Sequence, residues 1–299
     1  KDNPFPAVCG RVCNKRCEEA CTRATLDEAV AIDDVKRFIA QKDLDSKTRY
    51  IPKKVIPSNR GEFKNKIAII GGGPAGLSCA YYLALTGYRP TVFEKNEKPG
   101  GMLTYGIPSY KLEKDVVEEE IDIIRALGVE IKCGVEVGKD ITLDELRKDG
   151  YEAFYIAIGC QGSRKSGVAG EDADGVMSAV DILHEIAENH DLDLKGNKTV
   201  VIGGGNVAVD VARSTKRCGA DVLGMFCLES REEMPASEEE IFETEDEGIQ
   251  INNGWGVKEI LAENGKVTGV VLKKCTSVKD ADGKFNPQYD ENDTQIIEC

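Results

Sequence analysis

The chain has 299 residues, of which 41% are hydrophobic, and a formal net charge of −14. This length is enough to bury two sizeable α/β cores, and no apolar run approaches the length of a membrane span. The negative charge argues against a surface for nucleic acid or anionic membrane, so we expect a soluble, cytoplasmic protein without membrane insertion. Because the chain begins at Lys1 with neither an initiator methionine nor a signal-like segment, we expect a piece of a larger polypeptide.

Four of the eleven cysteines recur every four residues near the start of the chain, at Cys9, Cys13, Cys17 and Cys21. On an unbroken helix the outermost pair would lie about 18 Å apart, too far to share one small cluster. The segment must therefore bend if all four cysteines bind one site. Four thiolates suit an iron–sulfur cluster or a structural zinc ion, and helix cysteines without a ligand role are the remaining interpretation.

A first glycine turn follows the apolar run at 66–70 and precedes a stretch with helical apolar spacing; it consists of Gly71, Gly72, Gly73, Pro74, Ala75 and Gly76. In a dinucleotide-binding motif the first glycine permits the turn, the second leaves room for a pyrophosphate, and the third lets the helix pack closely. The next strand ends in Glu94, 18 residues after Gly76. That carboxylate is placed to accept hydrogen bonds from an adenosine ribose.

A second glycine turn follows the apolar run at 199–202 and consists of Gly203, Gly204, Gly205, Asn206, Val207 and Ala208. Its following strand leads to Glu229, 21 residues after Ala208. At this distance an acid meets the adenine ribose of NAD, whereas a 2′-phosphate would need arginines there. Arg231 is close enough to keep NADPH open as the alternative.

The remaining periodicity predicts further α/β elements. We expect helices at 112–127 and 180–188, strands at 130–133, 249–252 and 267–274, a buried strand at 151–158, and a turn at 280–283. The chain then divides into a helical cysteine module at 1–58, a first dinucleotide domain at 64–165, a connector at 166–195 and a second dinucleotide domain at 196–299. The acidic run at 232–247 is interpreted as a solvated face, with docking of a basic partner as the alternative.

Three strings carry a resemblance to a known family: Ala-Val-Cys-Gly-Arg-Val-Cys at 7–13, Pro-Gly-Gly-Met-Leu-Thr-Tyr-Gly-Ile-Pro at 99–108 with Lys111-Leu112, and Arg-Glu-Glu-Met-Pro at 231–235. The chain resembles, over nearly its whole length, the small (beta) chain family of glutamate synthase. That family includes the large subunit of NADH-dependent ferredoxin:NADP oxidoreductase and the amino-terminal half of dihydropyrimidine dehydrogenase. The resemblance implies an α/β fold with two Rossmann-like domains, the NAD domain inserted in the FAD domain, preceded by a small helical iron–sulfur module.

In this family the chain returns after the NAD domain to complete the FAD site, so the resemblance implies that residues 64–165 are only the first part of the FAD domain. The implied FAD residues are Gly71, Gly73, Pro74, Ala75, Gly76, Glu94, Lys95, Gly100, Gly101, Met102, Leu103, Gly106, Ile107, Pro108, Val137 and Gly159. The predicted residues for the nicotinamide cofactor are Gly203, Gly205, Asn206, Val207, Ala208, Glu229 and Arg231. No catalytic acid or base is predicted, because hydride transfer between nicotinamide and flavin requires none; His184 and His190 are assigned surface or packing roles.

The resemblance favours a [4Fe-4S] cluster at the cysteines. Family members commonly carry two clusters, with a Gln or Glu ligand where this chain has Lys36. Since an ammonium group cannot bind iron, we expect the second cluster to be lost or altered. One cluster then remains on Cys13, Cys17 and Cys21, with either Cys9 or a cysteine preceding Lys1 as its fourth ligand.

This sequence departs from the family where many members carry Tyr-Arg-Arg, whose arginines bind the 2′-phosphate of NADPH. The aligned residues here are Cys227, Leu228 and Glu229. A carboxylate repels the phosphate dianion that a pair of guanidinium groups would bind. The comparison therefore favours NAD(H).

Together these features predict an NADH-linked oxidoreductase subunit with FAD, a [4Fe-4S] cluster and NAD(H) as cofactors. It would pass hydride between NAD(H) and FAD, and single electrons through the cluster to a partner subunit or ferredoxin, in a hetero-oligomeric complex that the family permits to be electron-bifurcating. An NADPH-dependent glutamate synthase small subunit is the second hypothesis, and a non-catalytic structural adaptor of a redox complex is the third.

Overall fold

The computed structural model describes residues 2–56, 61–163, 165–189 and 192–299. The chain divides into two compact units, Lys1–Cys160 and Gln161–Cys299. The helices of the first unit are α1 (Pro6–Val12), α2 (Arg16–Glu19), α3 (Ile32–Leu44), α4 (Pro74–Leu85), α5 (Met102–Tyr105), α6 (Lys114–Ala126) and α7 (Leu143–Lys148), with a 3-10 turn at Thr22–Thr25. Its strands are β1 (Lys66–Ile70), β2 (Arg89–Phe93), β3 (Glu130–Lys132) and β4 (Tyr151–Ile156).

The four strands of the first unit form one parallel sheet in the order β3-β2-β1-β4. Strand β1 is central, and four of its five residues are buried. Such a continuous apolar run is typical of a parallel strand that is covered on both faces. Because the chain enters α4 directly from β1, the first glycine turn lies at the carboxyl end of the central strand, where open α/β sheets bind ligands.

The amino-terminal helices belong to the same buried core as this sheet. Phe5, Ala7 and Val8 of the α1 segment and Ala40 of α3 lie in one hydrophobic cluster with residues of α4 and α6. The residues of the cysteine module are therefore packed within the first unit. The domain division at 58, 165 and 195 stays a prediction, and residue 58 lies outside the described residues.

The second unit contains a parallel and an antiparallel sheet, ordered β5-β6-β7 and β10-β9-β8. Phe226 of the parallel sheet and Val270 and Leu272 of the antiparallel sheet share one buried cluster. The helices of this unit are α8 (Ala179–Glu188), α9 (Asn206–Arg217) and α10 (Glu238–Asp246). Its strands are β5 (Lys198–Ile202), β6 (Asp221–Cys227), β7 (Ile251–Asn253), β8 (Trp255–Glu263), β9 (Lys266–Lys279) and β10 (Phe285–Glu298).

The predicted α/β fold class is confirmed, and the predicted elements appear with shifted ends. The predicted strand at 151–158 forms as β4, but the expectation that it is buried is wrong, since Tyr155 and Ile156 are exposed. The physical reason is that β4 lies at the edge of the sheet and pairs with β1 alone among the described strands. In the described part of the chain, no helix is both long enough and apolar enough to cross a membrane.

Candidate dinucleotide and cluster sites

The first glycine turn closes β1 onto α4. Gly71 has φ of +106°, a conformation that side chains disfavour, and its N–H donates to Phe93 O at 2.8 Å. Gly73 is the N-cap of α4, and Pro74 occupies the first turn of that helix, where its missing N–H costs little. Backbone N–H groups at the start of α4 therefore face the space beyond the turn, as anion binding requires.

Glu94 lies at the bottom of this turn and is buried. Its Oε2 accepts the Gly72 N–H at 2.7 Å, and its Oε1 accepts the Asn96 N–H at 2.9 Å. Two backbone donors hold the carboxylate in one orientation. Next to it, Asn96 Nδ2 is buried without a hydrogen-bond partner among the described residues, so this amide retains a donor for a ligand.

The loop at 99–108 packs against the first glycine turn. The Gly100 N–H donates to Gly72 O at 2.7 Å, and a Cβ on Gly101 would lie 2.9 Å from Gly73 Cα. Only glycine at 101 permits this approach of two backbones. Met102 and Leu103 follow directly, on α5, and the N–H groups of Gly106 and Ile107 donate to Met102 O. The structure thus brings together the glycine turn and the 99–108 loop, the two groups of residues that the resemblance assigns to FAD.

Lys114, at the start of α6, forms hydrogen bonds to this loop. Its Nζ donates to Leu103 O at 3.0 Å and also to Ile107 O. Burial lowers the pKa of Lys114 to about 8. No sequence pattern singled out this lysine, because an isolated lysine gives no signal of burial.

Three predicted FAD residues have other surroundings. Lys95 is exposed. Gly159 is also exposed, but it comes two residues after Ala157, whose O would lie 2.3 Å from a Cβ on Gly71. Val137 forms an isolated bridge with Ile141 and packs beside the cluster that contains Phe93. Their role in FAD binding stays a prediction.

The second glycine turn repeats this geometry between β5 and α9. The Gly203 N–H donates to Phe226 O at 2.9 Å, and Gly205 is the N-cap of α9. The segment after Met234 folds back onto the turn: the Ala236 N–H donates to Gly204 O at 3.1 Å, and the Ser237 N–H donates to Asn206 Oδ1 at 2.9 Å. On α9, Val207 is exposed and Ala208 is buried.

The Glu229 carboxylate lies beside the middle glycine of the second turn, as the Glu94 carboxylate lies beside that of the first. A Cβ on Gly72 would lie 3.0 Å from Glu94 Oε2 and 3.1 Å from Glu94 Cβ, whereas a Cβ on Gly204 would lie 3.1 Å from Glu229 Oε2 and 2.9 Å from Cys227 Cβ. Cys227 therefore has the backbone position of Glu94. Glu229 brings its carboxylate to the turn from two residues further along the chain.

The neighbours of Glu229 are ordered by hydrogen bonds. Asn253 Nδ2 donates to Glu229 O at 3.0 Å and to Cys227 Sγ at 3.3 Å. Burial, with a smaller contribution from the Glu229 charge, raises the pKa of Cys227 to about 11, so the thiol is neutral near pH 7. Arg231 points to α10 instead, with NH1 3.1 Å from Glu238 Oε2 and Nε 3.8 Å from Glu245 Oε1.

The four candidate cysteine ligands lie on a bent segment, as one shared site requires. Cys9 is within α1, Cys13 is its C-cap, Cys17 is within α2, and Cys21 is the N-cap of the 3-10 turn. The bend occurs at Lys15, which has φ of +51°. Backbone N–H groups, chiefly those of Val30 and then Arg23, lower the pKa of Cys21 and so favour the thiolate that binds metals.

The structure does not gather these four thiols around a common point. Across residues 2–56, 61–163, 165–189 and 192–299, no group of three or more His, Cys, Asp or Glu side chains is close enough to hold a metal ion. Cys9 and Cys21 have separate partners: Cys9 Sγ accepts a hydrogen bond from Asn3 Nδ2 at 3.3 Å, and Cys21 accepts from backbone N–H groups. Lys36 pairs with Asp33 at 2.8 Å, which raises the pKa of Lys36 and keeps its ammonium group charged.

Of the two histidines, His184 lies among the described residues. His184 Nε2 lies 3.0 Å from Glu188 on the same helix, one turn away. His190 lies outside the described residues. A surface or packing role for His184 stays a prediction.

Comparison with known proteins decides the family. Residues 65–285 match the profile of pyridine nucleotide-disulphide oxidoreductases. The chain belongs to the pyridine nucleotide-disulphide oxidoreductase family. Residues 1–48 match a further profile, that of dihydropyrimidine dehydrogenase domain II, 4Fe-4S cluster.

The family's curated relatives include proteins of several redox complexes. The chain is 40% identical over 91% of its length to the NADP(+)-dependent formate dehydrogenase subunit beta of Moorella thermoacetica, and covers 40% of that protein. It is 36% identical over its whole length to the NADPH-Fe(3+) oxidoreductase subunit beta of Geobacter sulfurreducens, covering 45% of it. It is 35% identical over 94% to the glutamate synthase [NADPH] small chain of Escherichia coli, covering 61% of it. The predicted resemblance to the glutamate synthase small chain is thereby confirmed.

Solved structures share the fold at lower identity. FprA from Mycobacterium tuberculosis, in complex with NADPH, matches 78% of this chain and 68% of its own, with a TM-score of 0.65 and 20% identity. Thioredoxin reductase from Lactococcus lactis matches 76% of this chain and 75% of its own, with a TM-score of 0.54 and 23% identity. These matches support two Rossmann-like dinucleotide folds.

The residues at both glycine turns fit dinucleotides. Among the described residues, a Cβ on Gly73 would meet only Gly101, at 3.9 Å, and a Cβ on Gly205 would meet only Pro235, at 3.8 Å. Each turn therefore leaves room for a phosphate beside the start of its helix. The thiol set and its bend fit an iron–sulfur cluster in chemistry. FAD, a nicotinamide dinucleotide and a 4Fe-4S cluster are thus the cofactors that the family profiles and the residues support together.

Proposed function

We propose that this chain is the electron-input part of an NADH-linked oxidoreductase, with FAD at the first glycine turn and NAD(H) at the second. The observation that carries the proposal is the repeated geometry of the two turns, each with a carboxylate oxygen about 3 Å from the Cβ position of its middle glycine, Gly72 or Gly204. The bound groups would supply hydride transfer at the flavin and one-electron transfer at the cluster. The chain spans about half the length of the curated relatives named above, so the activity of the whole protein is part of the proposal.

The protein's own residues would bind and orient the cofactors and exclude water from them. Glu94 would accept hydrogen bonds from the FAD ribose, and the 99–108 loop would lie against the flavin. Cys13, Cys17 and Cys21 would hold the cluster, with Cys9 or a cysteine preceding Lys1 as the fourth ligand. No side chain of the chain is assigned as a catalytic acid or base.

The preference for NADH over NADPH is proposed on Glu229 and Arg231. A carboxylate at the ribose end of the turn accepts hydrogen bonds from two hydroxyls and repels a 2′-phosphate. Arg231, the nearby cation that could bind this phosphate, is held by Glu238 and Glu245. The three curated relatives compared above carry NADP(+) or NADPH in their names, so the proposal separates this chain from them.

The electron acceptor is proposed to be a partner subunit or ferredoxin in a cytoplasmic hetero-oligomeric complex, which the family permits to be electron-bifurcating. The subunit names of the relatives support the complex. They also favour the second candidate, an NADPH-dependent glutamate synthase small subunit. A structural adaptor is the third candidate.

The decisive experiment is an anaerobic titration of the full-length protein with NADH and, separately, NADPH, followed by loss of oxidised-flavin absorbance. Bleaching at much lower NADH than NADPH concentration supports the proposal. The reverse order would restore the glutamate synthase hypothesis. Failure of the bound flavin to bleach with either nucleotide would support the adaptor.

A further inference from the structure

A buried acid on α6 joins the cysteine-bearing helix to the flavin side of the first unit. Glu120 is 2% exposed, and its two oxygens accept the N–H groups of Ala7 and Val8 at 2.9 and 3.1 Å. These residues occupy the second and third positions of α1. Glu120 comes from 113 residues further along the chain, so this is a long-range contact between two elements.

These bonds complete the hydrogen bonding at the start of α1. The first position is Pro6, which has no N–H, and the Cys9 N–H donates to Phe5 O at 3.0 Å. The N–H groups of Ala7 and Val8 have no carbonyl acceptor within the helix, because a helix leaves its first N–H groups unpaired. A carboxylate also suits the positive end of a helix. Glu120 therefore fixes both the position and the direction of α1.

A second acid of the same region holds the other end of α1. Arg11 Nε donates to Glu113 Oε2 at 2.5 Å, and Arg11 NH2 donates to Gln41 Oε1 at 2.8 Å. The Arg11 side chain is 4% exposed. Glu113 directly precedes α6, so one helix with its N-cap binds α1 at two points.

The same helix also binds the 99–108 loop, through Lys114 and the carbonyl groups of Leu103 and Ile107. Lys114 and Glu120 are six residues apart on α6, which corresponds to about 9 Å along the helix axis. A single rigid helix thus carries the contacts of both the loop assigned to FAD and the helix that bears Cys9 and ends at Cys13.

We propose that Glu120 is a positioning residue for electron transfer: through α6 it fixes the place of the cysteine-bearing helix relative to the flavin loop. This inference rests on the proposed function, since it assumes FAD and a cluster in the first unit. Electrons would arrive at the flavin in pairs, as hydride from NADH, and leave singly for the cluster. In this proposal Glu120 acts through its hydrogen bonds to α1.

The first test measures amide hydrogen exchange of the full-length protein for Glu120→Gln. An amide in place of the carboxylate can accept from only one of the two N–H groups, so the Ala7 and Val8 amides should exchange at least about tenfold faster. Exchange within the 99–108 loop should stay unchanged. Glu118→Gln is the matched control, because Glu118 lies on the exposed face of α6 and pairs with Arg125.

The second test separates the two electron-transfer steps in the reconstituted full-length protein. After mixing with NADH, the rate of flavin bleaching and the rate of appearance of the reduced-cluster signal are followed independently. Glu120→Gln should leave bleaching within about twofold of wild type and slow cluster reduction by at least about tenfold, since a small misplacement has a large kinetic cost. Equal slowing of both steps, or no change in either, overturns the inference.

If Glu120→Gln does not fold, a second variant tests whether the contacts between α6 and α1 control cluster reduction. Glu113→Gln replaces the charged acceptor of the Arg11 bond, at the more exposed end of α1, by a weaker neutral one. It should slow cluster reduction in the same direction, by a smaller factor. Unchanged cluster reduction in Glu113→Gln would then overturn the inference. Absence of bleaching in the wild-type protein would instead contradict the proposed function, so the two failures are distinguishable.

Discussion

Glu229 and Cys227 together take the place that Glu94 fills alone at the first glycine turn. At the first turn, the strand end supplies both the backbone position and the carboxylate. At the second, Cys227 has the backbone position and Glu229 supplies the carboxylate from two residues later. We therefore expect cofactor specificity in this chain to depend on residues 227–229 rather than on one residue.

Replacing Leu228 and Glu229 with arginines should reverse the nucleotide preference. Loss of the carboxylate removes charge-assisted hydrogen bonds worth about 1.5–3 kcal/mol, which is roughly a tenfold to hundredfold fall in kcat/KM for NADH. The guanidinium groups should raise kcat/KM for NADPH by a similar factor. The measurement is flavin reduction with each nucleotide.

Glu232→Ala is the matched control for this specificity switch, because it removes one exposed acid from the same loop. Its ratio of kcat/KM values for NADH and NADPH should stay at the wild-type value. A Leu228→Arg/Glu229→Arg variant with the wild-type ratio of kcat/KM values for NADH and NADPH would show that Glu229 does not bind the ribose hydroxyls.

Lys114 should give the first unit a measurable pH dependence of stability. Burial lowers its pKa from 10.5 to about 8. Between these values the unfolded chain binds more protons than the folded chain, so the free energy of unfolding rises with pH over this window. We expect this rise to be about 1–3 kcal/mol after allowance for partial exposure, and to be absent in Lys114→Met.

The test of the lysine effect is denaturant unfolding of wild type and Lys114→Met at about pH 7 and about pH 10. The difference in stability between the two proteins should move in favour of the wild type as the pH rises. Lys148→Met, at an exposed lysine that ends α7, should run parallel to the wild type. A parallel curve for Lys114→Met would contradict the prediction.

At the level of elements, α1 and α3 approach so closely that only glycine fits at their contact. A Cβ on Gly10 would lie 2.7 Å from Arg37 Cα, which is backbone and cannot turn aside. Gly10→Ala should therefore force the two helices apart and destabilise the first unit by about 1–3 kcal/mol, despite the higher helix propensity of alanine. The measurement is thermal unfolding, together with amide exchange of α1.

Gly162→Ala is the matched control, because a Cβ there would meet no described residue within 4 Å and the residue does not have positive φ. It should leave the unfolding midpoint close to that of the wild type. An unchanged midpoint in Gly10→Ala would mean that the helices accommodate a methyl group by a small shift.

The extent to which elements can be predicted from the sequence depends on which interactions position them. Helix α6 was predictable because its apolar residues recur at helical spacing, and Glu120 could have been noticed as an acid within that buried stripe, between Val116 and Ile124. The exposure of β4 was not predictable, because an apolar run does not reveal whether its strand is central or at an edge. Likewise, spacing identified Glu229, but the place of Cys227 depends on strand register, which pairing in the folded sheet decides.

At the level of the whole molecule, the chain consists of two units with separate buried clusters. Residues of α4 and α6 are central to the core of the first unit, whereas α9 and β6 contribute to that of the second. The first glycine turn lies in the first unit and the second glycine turn in the second. Each unit should therefore respond to its own nucleotide.

NAD+ should stabilise the second unit selectively. A ligand present at about 100 times its Kd stabilises the folded state that binds it by about 2.7 kcal/mol. Calorimetry of the full chain should show one transition that moves to higher temperature with NAD+, and amide exchange should assign the gain to α9 and β6 while α4 and α6 stay unchanged. Glu229→Ala should reduce the shift because it removes the ribose contact, whereas Glu232→Ala should retain it. Equal protection of both units by NAD+ would contradict this prediction, since it would place the nucleotide in contact with the first glycine turn as well as the second.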